Sequence, residues 1–212
     1  MPYSDFTIED LKSKFNLKIQ RQVELFPAAE PVSPSPLLRE VLEENLPLAL
    51  EIDTDKARSE LIGAPILVEI RKQFNRQISI FSGTEFTVDK TQGLNGRCDF
   101  ILSHSPEQLS VTAPVVTMVE AKDDNIKSGI PQCMAEMVAA QIFNEQKDNQ
   151  IPGIYGCVTT GSLWKFMKLA EKTVDIESRE HFIGNIESII GIFTQIIQTT
   201  SKSLLDRGDT II

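Results

Sequence analysis

The chain has 212 residues with 21 basic and 30 acidic side chains, 41% hydrophobic and 24% charged residues, and a net charge of -9. That length supports one ordinary domain with attachments or two very small ones, and the composition is far from the low-hydrophobicity corner where chains stay disordered. Three cysteines (Cys98, Cys133, Cys157) and two histidines, without CxxC or HxxxH spacing, exclude a Cys-rich structural zinc site. The thiols lie within strand and helix patterns and read as buried small hydrophobes of a reducing compartment, so a cytosolic protein is expected. The N-terminus lacks the basic start and apolar stretch of a signal peptide, and IIGIFTQII is too short to span a bilayer, so no membrane role is expected.

Charge is uneven along the chain. Residues 1–53 carry ten acids against five bases, 54–172 fourteen against thirteen, and 173–212 six against three. A nearly neutral centre between acidic flanks leaves room for a polyanionic partner, because the local field decides that question.

In chain order, residues 1–53 read as an accessory helical segment. Thr7 with Asp10 predicts a capping box, PAAEPVSPSP breaks the pattern, and Ser35-Pro36 restarts a helix through about Leu50. Residues 54–212 read as one α/β domain. A helix over 54–75, kinked near Gly63 and Pro65, precedes RQISIFSG, TEFTVD and NGRCDFIL, three short strands. PVVTMVEAK is apolar on both faces until Glu120, the pattern of a central strand covered on both sides. A helix from about Pro131 to Glu145 follows, then the strands GIYGCVTT, SLWKFMKL and TVDIES. Ile183, Ile186, Ile190, Phe193 and Ile197 recur at steps of three and four, giving a C-terminal amphipathic helix. Its stripe packs on the domain, with a homodimer through this helix as the alternative. Trp164 is expected in the core, and His104 and His181 on the surface without a chemical task.

The sequence has no P-loop, GxGxxG, HExxH or GxSxG, which leaves carboxylates as the chemical candidates. Glu120 and Lys122 are two apart at the end of an apolar strand, so both side chains emerge on one face. An ExK triplet occurs about once in a chain of this size by composition, so the setting carries the signal. Pairing NGRCDFIL antiparallel with PVVTMVEAK brings Asp99 near Glu120, and two such carboxylates repel unless a proton or hard cation lies between them. Gln132 and Glu136 share a helix face with Ala140 and Phe143 and need partners there. Glu60 shares a face with Ala64 and Leu67, where an acid also needs one. Asp123 and Asp124 read as solvated loop acids.

Glu60 in a helix, Asp99 in a strand after Gly96-Arg97, Glu120-Ala121-Lys122 ending the next strand and Gln132 in a helix form an order that resembles the PD-(D/E)XK nuclease superfamily. GRCDFIL, VTMVEAK and the Gln-bearing helix are similar to the nuclease region of type I restriction subunits. The resemblance covers residues 54 to about 170. It implies a restriction-endonuclease-like core of helix, three strands, helix and strand, with a mixed sheet flanked by helices. It further implies Asp99 and Glu120 as metal carboxylates for magnesium or manganese, Glu60 as an auxiliary metal acid, and Lys122 as the catalytic lysine. Gln132 would steady the site or contact a phosphate. Related enzymes often carry a tyrosine four residues after that glutamine; this chain has Glu136.

The function so implied is metal-dependent phosphodiester hydrolysis of nucleic acid, with DNA the expected form. Arg71, Lys72, Arg76, Arg97, Lys127, Lys165 and Lys168 near the motifs favour it. The acid excess favours the alternative, a nuclease-like fold that serves binding or assembly without turnover.

Overall fold

Helix α1 (Ile8–Phe15) starts where the sequence places it. The Thr7 hydroxyl accepts the Asp10 N–H at 3.2 Å, and the Asp10 carboxylate accepts the Thr7 N–H at 2.9 Å. Ser35 caps α2 (Pro36–Ile52), and Thr54 caps α3 (Asp55–Arg58). From α3 the chain passes through one π turn, Ser59–Gly63, into α4 (Ala64–Gln73), so the expected kink takes the form of a widened turn. This is a computed structural model, and it describes residues 2–122, 125–149 and 151–205.

The strands are β1 (Lys18–Val23), β2 (Ser79–Glu85), β3 (Arg97–Ser103), β4 (Val115–Ala121), β5 (Ile154–Thr159), β6 (Leu163–Ala170), β7 (Thr173–Glu177) and β8 (His181–Phe182). They form one mixed eight-stranded sheet in the order β1-β7-β6-β5-β4-β3-β2, with β8 beside β6. β2, β3 and β4 are antiparallel neighbours, and β4 pairs parallel with β5. A parallel neighbour needs a crossover, which α5 (Ile126–Glu145) supplies. All seven residues of β4 are buried.

One face of the sheet is covered by α1 and α5, which contribute Leu11, Met134 and Met137 among others. The other is covered by α2, α4 and α6 (Ile186–Leu205), through residues such as Leu38, Ile66 and Phe193. The protein is therefore α/β with helices on both faces of a central mixed sheet. Trp164 is fully buried, as expected. No described helix is long and apolar enough to cross a membrane.

Several expectations need correction. Residues 1–53, read as an accessory helical segment, supply strand β1, which pairs parallel with β7 at the edge of the sheet. They also bury Tyr3 and Leu11 in the core, with the Tyr3 hydroxyl donating to the Phe86 carbonyl at 2.7 Å. TEFTVD is not a separate strand. Its first two residues finish β2, and Asp89 then reverses the chain by accepting the N–H groups of Thr91 and Gln92. Helix α5 begins five residues before Pro131, because Asn125 caps it by accepting the Lys127 N–H at 2.9 Å. His104 is buried against the Thr200 hydroxyl at 2.5 Å, and His181 is half-buried against Glu177 at 3.2 Å, so neither is a surface residue.

The apolar stripe of α6 is consumed inside the chain, where Ile190, Phe193 and Ile197 are fully buried. Its burial is explained without a second copy. Ile190→Ala is expected to lower the unfolding free energy by about 2–5 kcal/mol, the range for truncating a fully buried isoleucine. Urea denaturation measures it, and a midpoint equal to wild type would mean that α6 does not pack as described.

Candidate active site

The site forms where β4 leaves the sheet. β3 and β4 are paired from Leu102 and Thr117 to Phe100 and Val119, and one further step in this register sets Asp99 opposite Glu120. Backbone pairing gives way there: the Asp99 carboxylate accepts the Ala121 N–H at 2.8 Å. On its other side the chain stays in register with β5, with the Lys122 N–H donating to the Thr159 carbonyl at 2.8 Å. The end of β4 is thus fixed from both neighbouring strands.

Glu120 is 3% exposed and accepts the Lys122 ammonium at 2.8 Å through Oε1. Lys122 also donates to Oε1 of Gln132 at 3.3 Å, and the Gln132 amide donates to Oε1 of Glu136 at 3.3 Å. Glu136 is fully buried. Among the described residues, Oε2 of Glu120 and Oε2 of Glu136 have no hydrogen-bond partner. Helix α5 can lie this close because residue 129 is glycine. A Cβ there would come within 2.7 Å of Val158 Cγ1 and 3.1 Å of Lys122 Cγ.

Burial dominates the electrostatics. It pushes the Glu120 carboxyl up to about 7, with Asp99 adding repulsion and Lys122 opposing the rise. Asp99 is raised by burial, against the Ala121 N–H and Lys122, which favour its charge. Burial and the neighbouring Glu120 hold Glu136 well above the ordinary carboxyl range. For Lys122 burial acts downward, but Glu120, Asp55 and Asp99 outweigh it and raise its affinity for the proton.

Of the residues singled out in the sequence, the structure brings together Asp99, Glu120, Lys122 and Gln132. Glu60 is not among them: its side chain is 58% exposed and pairs with Lys56 at 2.6 Å. The helix acid whose charge reaches Asp99, Glu120 and Lys122 is Asp55, at the start of α3. Sequence reasoning missed Asp55, and its only signal was its place one residue after the capping Thr54. Asp123 and Asp124 lie outside the described residues.

Among the described residues, no group of three or more His, Cys, Asp or Glu side chains is arranged to hold a metal ion. Magnesium keeps several waters and needs only one or two protein carboxylates, so the relevant donors are the oxygens of Asp99 and Glu120. They fit a hard divalent cation in two respects. They are oxygen-only, and Glu120 holds a buried oxygen without a partner. Compared with protein-family models and with curated proteins, the chain matches none, so its own residues carry the functional argument.

The raised carboxyls set a pH dependence. Glu120 titrates near 7 when folded and near 4.5 when unfolded, so the folded state binds the extra proton between those values. Its favourable contribution is complete below about 4.5 and is lost as pH rises to about 7, a swing on the order of 3 kcal/mol. His104, driven down to about 4 by burial, works in the opposite sense below 6.5. Comparing wild type with Glu120→Gln isolates the carboxyl. The melting temperature of the variant is expected to overtake that of wild type progressively from pH 5 to pH 8 in chelator. Parallel curves would show that Glu120 is not destabilised by its setting.

Proposed function

We propose that this chain is a metal-dependent nuclease that hydrolyses phosphodiester bonds in DNA, on a core of the PD-(D/E)XK type. The observation that carries the reading is the meeting of Asp99, Glu120 and Lys122 at the end of one buried strand, with Gln132 on the helix that follows. The element order α4, β2, β3, β4, α5, β5 supports it, being the helix, three strands, helix and strand that the resemblance implies.

Asp99 and Glu120 would hold magnesium or manganese. The chemistry supplied by such a cation would be polarisation of the phosphate and compensation of the charge that develops on it. Lys122 places a positive charge beside the carboxylates and orients the attacking water, while Glu120 and Gln132 fix the ammonium by accepting from it. Asp55 adds an acid from the preceding helix, the role expected of Glu60. A groove of about 370 Å³ runs beside the first turns of α5, where Arg21, Lys127 and Lys165 line it beside the acids Glu177 and Glu180. These cations offer contacts for a phosphate backbone in an otherwise acidic protein.

One observation favours a second reading, in which the fold binds or assembles without turnover: the net charge of -9, which repels nucleic acid at long range. The two readings separate on linear, circular and single-stranded DNA and on RNA, with magnesium or manganese. The nuclease reading expects DNA cleavage that falls about 10²–10³-fold in Lys122→Ala, with the magnesium-induced rise in melting temperature kept. Asp99→Asn should lose most of that rise, because a ligand that binds only the folded state stabilises it in proportion to its affinity. A folded wild type that neither cleaves any substrate nor gains stability from magnesium would leave the binding module.

A further inference from the structure

Where nucleases of the resembled type often place a tyrosine, this chain buries a carboxylate. Glu136 is 0% exposed, in the middle of a helix packed against the sheet, and no cation pairs with it among the described residues. Burying such a group opposes folding, and an apolar side chain of similar volume would be more stable there. A hydrogen bond that an apolar residue could not make would offset part of that cost.

The directions of the hydrogen bonds identify it. An ammonium group can only donate, so the atom of Gln132 that meets Lys122 at 3.3 Å has to be the carbonyl oxygen Oε1. The amide NH2 of Gln132 then points the other way, one turn along the helix, where it meets Oε1 of Glu136 at 3.3 Å. A group at 136 that only donates, or that makes no hydrogen bond, would take this partner from the part-buried NH2 and leave Lys122 alone to hold the orientation. A carboxyl oxygen accepts in either protonation state, so the arrangement does not depend on the charge of Glu136. The bonds diverge from Lys122, which donates to Glu120 at the end of β4 and to Gln132 on α5, and Gln132 in turn donates to Glu136 in the interior of the domain.

We propose that Glu136 is a positioning residue: by accepting from the Gln132 amide it turns the Gln132 carbonyl toward Lys122 and so fixes the ammonium beside Glu120. Glu136 touches neither substrate nor reacting atoms and acts only through Gln132. The kinetic part of this inference rests on the nuclease reading, whereas the orientation of Gln132 does not.

Two measurements test it. In 15N-labelled protein, the Gln132 side-chain amide resonances are assigned by their loss in Gln132→Met. They should keep their positions in Glu136→Gln, whose carbonyl still accepts, and move toward those of unpaired glutamine amides in Glu136→Met. Glu136→Ala replaces Glu136→Met if the latter does not fold. Unmoved resonances in the folded Met or Ala variant overturn the proposal, whatever the activity.

On DNA, Glu136→Met should lower kcat at least tenfold with KM and magnesium affinity unchanged, and Glu136→Gln should restore kcat to within about threefold of wild type. In a Gln132→Met background, Glu136→Met should have no further effect. Losses that multiply in the double variant would mean that Glu136 acts by another route and would overturn the proposal. If the resonances move as expected while wild type cleaves nothing, the nuclease reading fails and the positioning role stands.

Discussion

A carboxylate that is 3% exposed at the end of a strand covered on both faces cannot be left to water. Glu120 is in that position because β4 is central: β3 and β5 occupy its two edges, α5 lies over one face, and the helices α2, α4 and α6 cover the other. The neighbouring side chains answer that one constraint. Lys122 returns along the same face to pair with Glu120, Gly129 lets its stem pass under α5, and Asp99 leaves the ladder to take the Ala121 N–H. The compensation is incomplete, since one oxygen each of Glu120 and Glu136 has no partner among the described residues. Such a region costs the fold stability, a trait common at functional sites.

Much of this was legible in the sequence, for reasons specific to each residue. A seven-residue apolar run interrupted only near its end marks a central strand, and period-two geometry then places Glu120 and Lys122 on one face. Asp99 follows from pairing the preceding strand antiparallel. Gln132 and Glu136 stood out because polar groups four apart on an apolar helix face require partners, and they prove to be partners of each other.

Other features were hidden by geometry that local pattern does not record. Glu60 entered the site through the resemblance, while its shared face with Ala64 and Leu67 assumed a regular helix; Ser59–Gly63 forms a π turn, which shifts the phase of the helix. The acid whose charge reaches the site is Asp55, at the start of α3. Strand β1 reads KIQRQV, polar and mostly exposed, as suits an edge strand, and its partner β7 lies about 150 residues away in the chain. His104 is buried by Thr200, another contact between distant segments. In each of these cases the deciding neighbour was remote in sequence or the local helix was irregular.

The end of β4 thus presents a crowded, desolvated carboxyl, and the nuclease reading requires that a divalent cation relieve it. Observing the side-chain carboxyl 13C resonance of Glu120 during a pH titration, with chelator and then with magnesium, tests it most directly. The expected result is a midpoint raised to about 7 without metal, falling toward the ordinary carboxyl range as magnesium is added. A midpoint near 4.5 in chelator, unmoved by magnesium, would contradict both the burial described here and the metal site built on it.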